Sequence, residues 1–127
     1  MNEGHRQVCG GADWREMVRD QVIPWALTGV DLGDDVVEVG PGYGATTEVL
    51  QGLVRTLTSV EIDPELAAAL VAQFAGTGHV EIVEGDATAL TCADGRFSGA
   101  TSFSMLHHVP TPAQQDRVFA EARRVLR

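Results

Sequence analysis

At 127 residues with 44% hydrophobic content, the chain has room for one core and not for two. Its formal charge of −9, from 18 Asp and Glu against 9 basic residues that are all Arg, argues against a nucleic-acid partner, because phosphate backbones are gripped by basic surfaces. No apolar signal-type core follows Met1-Asn2-Glu3-Gly4-His5-Arg6 and no run is long enough to span a bilayer, so a cytoplasmic protein is expected. Cys9 and Cys92 share no motif spacing and read as free thiols.

Residues 1–12 are polar, contain Gly10-Gly11 and read as a flexible N-terminal arm. Asp13 is placed to cap a helix from Trp14, with Glu16 three residues on as in a capping box. Trp14, Val18, Val22 and Trp25 would give that helix an apolar stripe, and Pro24 and Gly29 bend or end it. After a turn-rich stretch, Asp31 to Asp35, the run Val36–Val39 reads as a buried strand. Ala45–Val54 follows as a helix weakened by Thr46, Thr47 and Gly52. Leu57–Ile62 is a second strand, and Asp63-Pro64 opens a helix that stops near Gly76. His79–Val83 and Phe97–Ser104 are the third and fourth strands. A last helix starts near Thr111 or Pro112, and Arg123, Arg124 and Arg127 favour its C-terminal end. Strands alternating with helices imply an α/β domain over 13–127 with a parallel sheet and right-handed crossovers.

Ligands of open α/β sheets bind beyond the carboxyl ends of the strands, where strand order reverses. The first strand ends in Glu38-Val39-Gly40-Pro41-Gly42-Tyr43-Gly44, whose alternating glycines suit a tight turn and close approach of a ligand to the main chain. Glu61 ends the second strand about 20 residues past the first glycine, the spacing at which a carboxylate accepts from two ribose hydroxyls. Asp86 follows the third strand, where an acceptor meets an adenine amino group. The glycine pattern alone is ambiguous: Gly40, Gly42 and Ala45 also satisfy the dinucleotide fingerprint. Glu38 argues the other way, since a carboxylate there repels a pyrophosphate and attracts an ammonium group. A ligand with nucleoside and amino-acid parts and no phosphate fits both facts.

Residues 38–44 resemble motif I of the class I S-adenosylmethionine-dependent methyltransferases, E/D-x-G-x-G-x-G. Val60-Glu61-Ile62-Asp63 and Glu84-Gly85-Asp86-Ala87 are similar to their second and third motifs, and Ser104 to Val109 to the loop after the fourth strand of their small-molecule-type members. The resemblance covers about Asp34 to Arg127. It implies S-adenosylmethionine as cofactor, with Glu61 on the ribose, Ile62 against the adenine, and Asp86 with the Ala87 backbone on its edge. It also implies Glu38 and the Gly40, Gly42 and Gly44 loop at the site, and the Ser104 carbonyl near the methionine part. Tyr43 either lies over the ligand or covers the loop.

The family fold is a Rossmann-like sheet of seven strands, so this chain is expected to be its N-terminal four-strand part. The outer edge of the fourth strand is then open to self-association. Ser98 stands where the family often has Asp. The absence of an Asn/Asp-Pro-Pro-Tyr/Phe signature shifts the expected methyl acceptor toward a small molecule. His107 and His108 are the weak candidates for a catalytic base. Adjacent in the chain and joined by no Cys or carboxylate pattern, they are not expected to hold a metal. Two further readings stay open: an NAD-type dinucleotide enzyme, and a non-catalytic module that binds the cofactor or pairs with another subunit.

Overall fold

The computed structural model describes residues 2–127; Met1, the first residue of the expected arm, lies outside them. Residues 3–9 of that arm form helix α1 (Glu3–Cys9), capped by Asn2, whose side chain accepts the His5 amide at 2.8 Å. Helix α2 (Ala12–Met17), a widened π-helical turn (Val18–Val22) and α3 (Ile23–Ala26) then run on as one stretch. Gly11, not Asp13, stands at the N-cap. Asp13 lies inside the first turn, where its charge still favours the positive helix end.

Pro24 accounts for the widened turn. It has no N–H to give the Asp20 carbonyl and its ring crowds that group, so the chain dilates just upstream. The dilation rotates everything after it by about 100°, one residue's step. Ile23 is therefore buried, and Trp25, expected on the apolar stripe, is 81% exposed.

The sheet contains β1 (Asp35–Val39), β2 (Thr56–Glu61), β3 (Val80–Glu84) and β4 (Gly99–Thr101), all parallel, in the order β3-β2-β1-β4. Val37 lies between Thr58 and Ala100, so β1 is central. Between the strands run α4 (Ala45–Leu50), α5 (Pro64–Gln73) and, after β4, α6 (Pro112–Val125). Asp63 caps α5 by accepting the Glu65 and Leu66 amides, as expected, and α6 begins at Pro112, one of the two expected starts, with Thr111 capping it through the Gln114 amide. Side chains alternate across β1. Val36 packs with Leu57, Leu50, Val18 and Ile23 on one face; Val37 and Val39 pack with Val60, Phe97 and Val125 on the other. The chain moves outward from β1 to β3 and returns past β1 to β4. That reversal opens a crevice at the carboxyl ends of β1 and β4. No helix among the described residues is long and apolar enough to cross a membrane.

Two boundaries differ from expectation at the sheet edge. The fourth strand is three residues, not eight, because the backbone turns away before Ser104, which has a left-handed φ of 53°. The outer side of its start is not bare: Phe97 donates to Val125 O at 2.8 Å and accepts the Arg127 amide at 2.9 Å. Ser98 also has a task of its own. Its hydroxyl donates toward Leu32 O and Asp35 O and accepts the Asp35 amide, stitching the 31–35 turn to the fourth strand.

That turn presses so closely that a Cβ on Gly99 would lie 2.6 Å from Leu32 O. Gly99→Ala is expected to cost about 1–3 kcal/mol through this overpacking. The urea midpoint should fall at an unchanged m-value; an unmoved midpoint would show that the turn is free to yield.

Candidate cofactor site

At the crevice lies a cavity of about 310 Å³. Each strand end contributes to its wall: Gly40 after β1, Glu61 and Ile62 at β2, Asp86 and Ala87 after β3, and Ser104 after β4. The glycine loop takes its shape from two close approaches. A Cβ on Gly40 would overlap Met105 at 2.2 Å, and one on Gly44 would lie 2.9 Å from Leu70. Both residues also have positive φ, 74° and 84°, so glycine is required on both counts. The three glycine N–H groups are turned inward: Gly40 donates to Val60 O, Gly44 to Pro41 O, and Gly42 to Glu61 Oε2 at 2.9 Å.

Glu61 is 6% exposed and is fixed at both oxygens, with Oε1 accepting the Asp63 amide at 3.1 Å. Each carboxylate oxygen offers two lone pairs, so one per oxygen remains for a ligand in the cavity that the residue lines. Ile62 is 65% exposed on the same wall, a branched apolar side chain, and Ala87 is also in the lining. Asp86 Oδ1 accepts the Thr88 amide and hydroxyl, both at 2.8 Å, in an Asx turn that leaves the second oxygen for a ligand donor.

Glu38 is placed differently from its sequence reading. Its carboxylate does not line the cavity. It is buried behind the wall, where it accepts from the hydroxyls of Thr46, itself a wall residue, Thr47 (2.7 Å) and Ser59 (2.8 Å). Burial pushes its pKa up, the three hydroxyl bonds oppose the rise, and the Glu61 charge adds to it. Gly42 and Gly44 are held in the loop but are not part of the wall, whereas Tyr43 is. His108 lines the cavity and His107 does not. Burial and the neighbouring His107 and His5 rings hold the His108 imidazole below its usual pKa.

Several wall residues carry no local signal in the sequence. His5 and Cys9, one turn apart on α1, and Trp14 on α2 roof the cavity. Arg15 donates to Tyr43 O at 2.7 Å and Glu48 at 2.8 Å, tying the roof helix to the glycine loop and α4. Met105 fills the space that Gly40 leaves. Burial raises the Cys9 thiol pKa, which keeps it protonated.

A family profile described as "Methyltransferase domain" matches residues 37–127. The chain belongs to that family. A 58-residue stretch is 49% identical to the ribosomal RNA small subunit methyltransferase A of Moorella thermoacetica, covering 46% of this chain and 20% of that protein. A candidate methyltransferase of Bacillus halodurans superposes over 85% of this chain and 46% of its own, with a TM-score of 0.69 and 27% identity. A Pyrococcus horikoshii protein superposes over the whole of this chain and 62% of its own, with a TM-score of 0.83 and 21% identity. The chain thus spans a fifth of the Moorella relative and about half of these structures, which establishes the Rossmann-like methyltransferase fold for its parallel four-stranded sheet.

The sequence relatives correct the partner expectation. By name they are methyltransferases of ribosomal RNA, which overturns both the exclusion of nucleic acid and the small-molecule acceptor. The error is physical: net charge sums over the whole surface, whereas nucleic-acid contact needs only a local basic face. The charge of a segment matching one fifth of a relative also says nothing of the remainder.

The Glu38 carboxyl carries a pH signature. With the native pKa raised and the unfolded one ordinary, rising pH ionises the unfolded state first. Stability present below the ordinary carboxylate range is then lost as pH climbs toward the native value. Glu38→Gln removes this loss, so its stability relative to the wild type should improve as pH rises, by up to about 1.4 kcal/mol per pH unit within that window. Parallel curves of unfolding free energy against pH would contradict the buried, raised carboxyl.

Proposed function

We propose that residues 13–127, with α1 contributing to the roof of the cavity, form the cofactor-binding unit of an S-adenosylmethionine-dependent methyltransferase. The observation that carries the reading is the convergence of Glu61, Asp86 and the glycine loop on one cavity at the strand ends. Glu61, locked by two amides, presents its remaining lone pairs to the vicinal ribose hydroxyls. Ile62 and Ala87 offer apolar surface to the adenine, and Asp86 accepts from its amino group. The Gly40–Gly44 loop and the backbone at Ser104 lie where the amino-acid part fits. When bound, the sulfonium supplies an activated methyl for in-line displacement by an acceptor nucleophile, so the residues present serve to position rather than to attack.

The inward-turned loop amides favour this reading over a dinucleotide enzyme. A pyrophosphate is gripped by free backbone N–H groups, and those of Gly40, Gly42 and Gly44 are all spent within the protein. The names of the sequence relatives make ribosomal RNA the first acceptor to assay. Free Cys9 and Cys92 fit a reducing, cytoplasmic setting.

Calorimetric titration of the chain with S-adenosylhomocysteine should give one site, and NAD should give none. Glu61→Ala should weaken the site by about ten- to a hundredfold, the worth of one charge-assisted hydrogen bond. Glu81→Ala, on the exposed side of β3, should leave it unchanged. Binding of NAD in place of the homocysteine compound, or indifference to the Glu61 change, would sink the assignment.

A further inference from the structure

Three of the chain's four histidines meet at one point of the cavity rim. His5 comes from α1, while His107 and His108 come from the short 3-10 turn Leu106–His108 that follows β4. Their ring centroids are 4.0 Å apart for His107 and His108, 4.8 Å for His5 and His108, and 5.3 Å for His5 and His107. One nitrogen from each ring can be chosen so that all three lie within 4.8 Å of one another. The rings stand at steep angles, 49° to 79°, rather than in a flat stack.

The two adjacent histidines alone make a poor site; the fold supplies the third donor from about a hundred residues away. We propose that His5, His107 and His108 form a binding site for a divalent transition-metal ion of the zinc class. Neutral imidazole nitrogens suit such ions, and hard cations such as magnesium or calcium prefer oxygen. Zinc holds imidazole nitrogens at about 2.1 Å, hence about 3.4 Å from one another in a tetrahedral set. Rotations of exposed His107 and His108 and half-buried His5 close the remaining distance. Three histidines leave a fourth position open, the pattern of sites that take water or a substrate atom. His5 and His108 both line the cavity, so that position is available to a group entering it. A bound ion also ties the roof helix α1 to the loop after β4. The inference does not rest on the identity of the cofactor.

The test is calorimetric titration of the full chain with Zn²⁺ alone, together with the visible spectrum of the Co²⁺-loaded protein. One ion per chain is expected, with the absorption bands of a tetrahedral cobalt site. His5→Ala, His107→Ala and His108→Ala should each weaken binding by at least about tenfold and remove the bands. His79→Gln should do neither, since His79 is engaged elsewhere, 2.7 Å from Gln51 O. Failure of the wild type to bind, or binding at wild-type strength in the His107→Ala and His108→Ala proteins, would overturn the site. Those two side chains are exposed, so their removal leaves the fold intact to be measured.

Discussion

Glu61 joins the tip of β2 to the glycine loop and to the start of α5. One oxygen takes the Gly42 amide and the other the Asp63 amide, each bond of the charge-assisted kind that contributes about 1.5–3 kcal/mol. A loop with three left-handed glycines has much conformational freedom to lose on folding. An anchor in its middle narrows that freedom without adding bulk. Asp63, tethered by the same carboxylate, caps α5. One side chain thus sets the spacing of a loop, a strand end and a helix start. The surface it turns to the cavity is whatever those two amides leave over.

Beneath the loop, Glu38 shows a different economy. An ionisable group this deep is costly to desolvate, and three hydroxyls from two elements offset part of that cost. Thr46 and Thr47 are poor helix formers by propensity, yet they sit in the first turn of α4 because their hydroxyls meet Glu38 there. Ser59 reaches it across the register pair that β1 and β2 form. The network fastens α4 to the two central strands from below while Glu61 and Arg15 fasten the loop from above.

Legibility in the sequence divided along a physical line. Strands of near-continuous apolar residues, the Asp63 cap, the start of the last helix and the strand-end acids are set by neighbours within a few positions, and they stand where the sequence places them. What depended on distant contacts was not readable. Glu38 was placed toward the ligand because the motif cannot show which face of β1 a hydroxyl cluster will occupy. Trp25 was placed in the core because a regular period was assumed across Pro24. The roofing role of His5, Cys9 and Trp14 and the tie made by Arg15 arise only once the chain folds back over the strand ends. The fourth strand was drawn too long because an alternation of polar and apolar residues continues past Thr101 through Ser102, Phe103 and Ser104, and nothing local marks the left-handed turn at Ser104.

The widened turn at Val18–Val22 has a reach beyond its five residues. The azimuth of α2 over the cavity is governed by one surplus spiral step, and α1 hangs from α2 through Gly10 and Gly11. Shortening that step by a single residue would swing Trp14, Cys9 and His5 around the helix axis and lift the canopy from the nucleoside-sized hollow. The strand-end walls, Glu61, Asp86 and the glycine loop among them, would keep their places. Access to the site is in this sense a matter of arithmetic along the backbone, written some distance from any atom that touches a ligand.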